Sequence, residues 1–258
     1  MEITNYLIEC VKNNFPVSFS KYGDGEIFCM FRISPDGANC DNDRYTEKLG
    51  DALLQSFLYM ISINDACENQ IQHNDKPKHF IGKWHSHPEH FEKLENLTLG
   101  KNILWAKYHT LLFDRDNDDK KISLLKTIKN AKQKKIMICN EDMKTTQDFL
   151  KIDKMVYVPK NNWFDTLFNN VFEEVVEYIE NSKNCDCEGH IVITCCGQSA
   201  KVMICQLVKK YPNGIYLDYG SGLDKLITGR DTREYHTRYT NEEMEEIKKY
   251  VIMSDKDE

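Results

Sequence analysis

The second half of this chain alternates short, almost wholly apolar runs with stretches of helical periodicity, and that alternation constrains the fold most. The runs are 135–139 (Lys-Ile-Met-Ile-Cys), 155–158 (Met-Val-Tyr-Val), 190–196 (His-Ile-Val-Ile-Thr-Cys-Cys) and 214–218 (Gly-Ile-Tyr-Leu-Asp). A strand with one wet face alternates apolar and polar residues; these runs do not, so both faces of each must be buried. Between them, 144–151, 163–180 and 199–210 carry helical patterns. Strands and helices in this order build a parallel sheet covered on both sides. The expected fold is α/β: a Rossmann-like, mostly parallel sheet flanked by helices.

The first half is less regular. Residues 3–13 read as a short amphipathic helix with Ile3, Leu7 and Val11 on one side, and 45–63 as a longer one. A short strand from Pro16 leads to Ser20-Lys21-Tyr22-Gly23-Asp24-Gly25-Glu26. If the backbone stays extended there, Asp24 and Glu26 share a face, and the two glycines let the chain turn with positive φ. Residues 64–78 are expected to be loop, 101–113 a half-buried helix, 114–121 a charged loop and 122–131 a helix. No linker or repeat interrupts the chain, so 1–258 is expected to be one domain, with a flexible tail from about 245.

Composition removes several classes of function. A net charge of −7 and a pI near 5.7 leave no basic excess to neutralise phosphates, which argues against nucleic acid as a partner. No apolar run approaches the roughly 20 residues of a membrane helix, and the N-terminus has no secretory signal pattern. Of ten cysteines, Cys29, Cys139, Cys195, Cys196 and Cys205 lie in apolar runs, which suggests a reducing, cytoplasmic setting. Cys185 and Cys187 lack a second pair at zinc-ribbon spacing. Lysine outnumbers arginine 28 to 6, a bias of AT-rich genomes such as those of some bacteria, protists or large DNA viruses.

In open α/β sheets ligands sit beyond the carboxyl ends of the strands, and several such ends carry chemistry. Asp24 and Glu26 offer paired hard oxygen donors, suited to Mg²⁺ or Mn²⁺. At Cys196-Gly197-Gln198-Ser199-Ala200-Lys201 a strand runs through a glycine turn into a helix, with Ser199 the expected N-cap. The free N–H groups of such a helix start favour a phosphate. Asp218-Tyr219-Gly220-Ser221-Gly222-Leu223-Asp224 sets acids beside glycines. Arg230 and Arg233 lead a cluster that holds half of the arginines, the side chain that grips phosphate bidentately. Pro159-Lys160-Asn161-Asn162-Trp163 offers amides and an indole for stacking. His85-Ser86-His87-Pro88 is similar to the zinc motif of JAMM-type metalloproteases, but Leu99 stands where that motif has its aspartate.

Taken together, these motifs resemble those of GT-D-type glycosyltransferases, which move a sugar from a nucleotide-diphosphate donor. Lys21-Tyr22-Gly23-Asp24-Gly25-Glu26 is similar to that family's Arg-[Tyr/Phe]-Gly-Asp-Gly-Glu element. The later motifs follow in family order, and Asn39-Cys40-Asp41 with the segment from Gly229 to His236 is similar to one subgroup. The resemblance implies a GT-D-type fold and a Mn²⁺ or Mg²⁺ ion on Asp24 and Glu26. It also implies a nucleotide-sugar donor, UDP-sugar favoured, and a glycan or glycoprotein acceptor, with homo-oligomers compatible. Donor contacts are then expected from Ser20, Lys21, Tyr22, Gly23, Asn162, Trp163, Gly197, Gln198, Ser199, Lys201, Gly220, Ser221, Arg230, Arg233 and His236. Asp218 and Asp224 join Asp24 and Glu26 as catalytic candidates, with Asp41 a further candidate base. Lys21 replaces the usual arginine, and Ser221-Gly222 stands where many members have one histidine. Two other readings remain: a zinc isopeptidase or hydrolase built on His85 and His87, and a nucleotide-binding module without catalysis.

Overall fold

The computed structural model describes residues 2–33, 44–65, 77–83, 88–182 and 189–253. In chain order the elements are α1 (Ile3–Asn13), β1 (Val17–Tyr22), α2 (Asp24–Phe31), α3 (Glu47–Asp65), β2 (Lys78–Lys83), α4 (Pro88–Leu97) and β3 (Leu104–Lys107). Then follow α5 (Asp118–Asn130), β4 (Lys134–Cys139), α6 (Thr146–Leu150), β5 (Lys154–Tyr157), α7 (Phe164–Ser182), β6 (His190–Cys195), α8 (Ser199–Lys210), β7 (Ile215–Asp218), α9 (Asp224–Thr228) and α10 (Asn241–Met253). Among the described residues the strands form one seven-stranded sheet in the order β3-β2-β1-β7-β6-β4-β5. Every neighbouring pair is parallel.

The runs of β4, β6 and β7 are buried on both faces because successive residues serve opposite layers. By contrast β5, at the sheet edge, leaves Tyr157 exposed, against the expectation that both its faces are covered. Met137 and Cys139 of β4, Ile191 and Ile193 of β6, and Ile215 and Leu217 of β7 join one core. That core also takes residues of α1, α5, α9 and α10. Ile136, Ile138, Val192 and Tyr216 point the other way, against α7 and α8. A third cluster joins Tyr22 and Ile81 to α2 and α3. Helix α10 runs to Met253 and buries Met244, Ile247 and Val251, so the expected flexible tail from 245 is instead a docked helix through 253. Among the described residues no helix is long and apolar enough to cross a membrane.

Two expectations change in the first half. Part of 101–113 is β3, an edge strand, followed by a 3₁₀ turn at Tyr108–Leu111. An apolar run this short fits either period, and pairing with β2 decided it. The charged stretch 114–121 already contains the first turn of α5. His85, His87, Asp41, Cys185 and Cys187 lie outside the described residues.

Gly50 sets how closely α3 approaches α2. A Cβ there would stand 2.5 Å from the Cys29 carbonyl oxygen. Glycine to alanine in a helix interior ordinarily stabilises by roughly 0.5–1 kcal/mol. Here the clash reverses the sign: Gly50→Ala is expected to destabilise by about 1–3 kcal/mol, read from the urea midpoint.

The chain order places the site. From β4 the chain crosses to β5 on the outer edge, whereas from β6 it crosses to β7 on the inner side. Neighbouring parallel strands with connections that diverge open a crevice at their carboxyl ends. Pairing of β1 with β7 then carries the acidic glycine segment, nearly 200 residues away in sequence, to the rim of that crevice.

Candidate functional site

A cavity of about 870 Å³ opens at the carboxyl ends of the strands. It gathers Lys21, Gly23, Asp24 and Glu26 from the first segment, and Gly197, Gln198 and Lys201 from the start of α8. Gly220, Ser221 and Asp224 follow from beyond β7, with Arg230 and Arg233 after α9.

The two acids reach it differently from the extended turn expected. Gly23 is extended (φ −115°, ψ −168°) rather than left-handed, and Asp24 already begins α2, so Gly25 is helical. On a helix, residues two apart do not face each other. Both acids still line the cavity because it lies off the N-terminal end of α2. Glu26 folds back so that its Oε2 accepts the Gly23 N–H at 2.9 Å, the reciprocal half of a capping box.

The floor is an ionic cluster. Lys201 Nζ lies 2.8 Å from Glu26 Oε1 and 3.2 Å from Asp218 Oδ2. Burial alone would lower the Lys201 ammonium, but Asp218 and Glu26 outweigh it and hold the group well above its ordinary value. Asp218 is fully buried; Oδ2 also accepts the Lys21 backbone N–H at 3.0 Å, and Oδ1 has no hydrogen-bond partner. Lys21 donates from Nζ to the Tyr219 carbonyl at 2.6 Å and sits over the Tyr108 ring. Its burial, only partly offset by Asp218, lowers it to about 8. Gly220 is left-handed (φ +52°), and a Cβ there would stand 2.5 Å from Lys21 Nζ, so a side chain would strain the backbone and displace the Lys21 ammonium.

Above the floor, Gly197 turns with φ +70° and α8 begins at Ser199. Ser199 is therefore inside the helix rather than its N-cap; Gln198 precedes it, and no side chain caps the first N–H groups. The Ala200 and Lys201 N–H groups turn onto the Gly197 and Gln198 carbonyls at 3.3 Å, which leaves the N–H groups of Gly197 to Ser199 outside the helix ladder. Gln198 is buried and its Oε1 lacks a partner. On the rim, Asp224 Oδ2 accepts the Thr232 hydroxyl at 2.6 Å. Arg230 and Lys160 both hold Asp142, at 2.9 and 2.7 Å.

Several expected contacts lie elsewhere. Ser20 and Tyr22 are core residues, Tyr22 packing edge-on against Phe57. Trp163 is buried, donates Nε1 to the Cys196 carbonyl at 3.3 Å and stacks on Phe168, so no face is left for a nucleobase. Asn162 accepts the Arg44 N–H at 2.7 Å, and its neighbour Asn161 lines the cavity instead. His236 is 2% exposed; Nδ1 accepts the Thr232 N–H at 3.1 Å, and Nε2 lies 3.1 Å from the Ser221 carbonyl. Burial lowers it to about 4, as suits a neutral ring that braces two loops. Asp218 and Ser199 lie behind the lining.

The lining also includes Tyr108, His109, Asn140 and Asp142, none of them anticipated as site residues, and Lys160 and Tyr235, which lie in segments singled out above but were not named as contacts themselves. Asn140 and Asp142 follow the end of β4, where the strand-end rule applied to that strand would have found them.

Among the described residues no group of three or more His, Cys, Asp or Glu side chains is gathered as a metal cage. Mg²⁺ commonly takes only one or two carboxylates and completes its shell with substrate phosphates and water. Asp24 and Glu26 fit that pattern. Both residues line the cavity, and each Glu26 oxygen accepts one donor and keeps a further lone pair. No protein-family model, curated protein or solved structure matches this chain.

Proposed function

We infer that this chain is a glycosyltransferase that moves a sugar from a nucleotide-diphosphate donor, a UDP-sugar by preference, to a glycan or glycoprotein acceptor. The observation that carries the reading is one cavity of about 870 Å³ joining an acid pair, an uncapped helix start and two arginines. Sugar transfer from such a donor requires binding and neutralising a diphosphate as it leaves. The N–H groups at Gly197 to Ser199 are donors that need no reorganisation at the moment of bond breaking. Arg230 and Arg233 add guanidinium forks at the rim.

A Mg²⁺ or Mn²⁺ ion held by Asp24 and Glu26 would supply Lewis acidity toward the diphosphate oxygens. Lys201 keeps Glu26 fixed through its contact at 2.8 Å, and the Gly23 N–H fixes the other oxygen. Asp218 anchors both lysines from behind: its Oδ2 takes the Lys21 N–H and the Lys201 ammonium. The floor is thus set before a ligand enters, which is what electrostatic catalysis needs. Asn161, Tyr108 and Tyr235 add polar and aromatic surface for the nucleoside and sugar.

The experiment is a panel of UDP-, GDP- and TDP-sugars with Mn²⁺, followed for release of nucleoside diphosphate. Release from donors of one base supports the reading. Binding without release would make the chain a nucleotide-binding module without catalysis, and neither binding nor release would contradict both.

A further inference from the structure

The 3₁₀ turn after β3 brings His109 into the wall of the same cavity. Its Nδ1 lies 3.1 Å from Asp114 Oδ2, and Asp114 Oδ1 pairs with the buried Lys121 ammonium. Burial alone would raise the Asp114 carboxyl, but hydrogen bonds from His109 and Lys121 outweigh it and hold it at about 2. Asp114 is therefore ionised near neutral pH, and an ionised carboxylate only accepts. Nδ1 must be the donor, so the lone pair of the neutral ring falls on Nε2. Among the described residues nothing hydrogen-bonds Nε2. The Tyr108 and Tyr235 rings hold the imidazole at centroid distances of 5.6 and 5.4 Å, and the Tyr235 hydroxyl is tied to Ser221 Oγ at 2.7 Å. The side chain is 28% exposed, open enough for a substrate to reach it.

We propose that His109 is the catalytic base of the cavity and that Asp114 positions it. The proposal rests on the nucleotide-sugar reading given above. The acceptor hydroxyl gives its proton to Nε2 while its oxygen forms the new bond to the anomeric carbon. The bond from that carbon to the diphosphate oxygen breaks, and its electron pair leaves with the diphosphate. The imidazolium produced faces the Asp114 carboxylate across the existing hydrogen bond. Asp218 is sealed from the cavity, and Asp224 Oδ2 is already engaged by Thr232.

The test compares wild type, His109→Ala and Asp114→Asn with UDP-glucose, UDP-galactose and UDP-N-acetylglucosamine, Mn²⁺ present and water as acceptor. His109→Ala is expected to lower kcat for UDP release by about 10²–10⁴-fold while leaving the UDP-induced rise in Tm unchanged. Imidazole added to the solution restores part of that rate. Heteronuclear NMR of the ligand-free wild type at about pH 8 shows His109 protonated on Nδ1. Asp114→Asn weakens that preference and lowers kcat with KM unchanged. If Asp114→Asn fails to fold, because Lys121 keeps only its longer pair with Asp118, the wild-type tautomer and the imidazole rescue still decide. A ring protonated on Nε2, a His109→Ala rate within about twofold of wild type, or a lost rate that imidazole does not restore each overturns the proposal. A wild type that neither responds to UDP nor cleaves any donor overturns the nucleotide reading beneath it. That failure is distinct, because the tautomer measurement needs no ligand.

Discussion

Lys201→Met is expected to lower the stability of the folded chain by about 3–5 kcal/mol, the usual loss when one partner of a buried ion pair is removed. Methionine keeps length and apolar volume but strands two carboxylates. Lys201, Glu26 and Asp218 have side chains only 5%, 9% and 0% exposed, so water cannot replace the missing ammonium. Raised well above its ordinary value, the Lys201 group contributes its stabilisation fully below the unfolded lysine range. That contribution is lost only as pH climbs past the folded value, so the deficit of the variant persists through neutral and mildly alkaline pH. Urea unfolding near neutral pH measures it. Adding Glu26→Gln removes one stranded charge and is expected to recover part of the loss, a coupling that a double-mutant cycle reads directly. Equal stability of Lys201→Met and wild type would contradict the ionic floor.

Asp24→Asn is expected to act in the opposite way, on turnover and hardly on stability. Asp24 lies in the first turn of α2, where an acid gains roughly 0.3–1 kcal/mol from the helix dipole, so the fold survives its neutralisation. If Asp24 helps to bring a divalent cation to the diphosphate, its neutralisation removes several kcal/mol of transition-state stabilisation. That corresponds to a fall in turnover of about three powers of ten. The assay is nucleoside diphosphate release with and without Mn²⁺. Loss of rate with an unchanged urea midpoint is the expected outcome, and full retained turnover would sink the role assigned to the acid pair.

The sheet was legible because β4, β6 and β7 in the second half are buried on both faces and carry no polar alternation to hide them, and the edge strand β5 shares their apolar run although its Tyr157 is exposed. The strands of the first half were harder. β2 contains Lys78 and His79, which look solvated in sequence. In the fold His79 is fully buried, with Nδ1 2.9 Å from Ser18 Oγ and its backbone N–H and carbonyl satisfied by Asn64. No local pattern announces partners 61 and 15 residues away. β3 is four residues long and half-exposed at the sheet edge, so its apolar spacing suited a helix equally well. That ambiguity also concealed Tyr108 and His109.

The acid pair, the turn at Gly197 and the arginines were legible as residues gathered at one cavity because glycine and charge cluster at strand ends. What sequence could not supply was depth. Asp218 and Asp224 look alike in sequence. One lies at the end of β7 with an oxygen standing in for a ladder acceptor, and the other faces the cavity. Trp163 and His236 likewise fit a ligand by residue type, yet each is consumed by the scaffold.

The central claim is that the cavity binds a nucleoside diphosphate, and the melting temperature tests it most directly. A ligand that binds only the folded chain stabilises it by about 2.7 kcal/mol at one hundred times its Kd. For a chain of this size that corresponds to a rise of roughly 5–10 °C. UDP, GDP and TDP and their sugars, each with and without Mn²⁺, form the panel. The predicted result is a rise of that size for one base, larger with Mn²⁺ than without. An unchanged melting temperature across the whole panel, with and without the metal, would contradict the account.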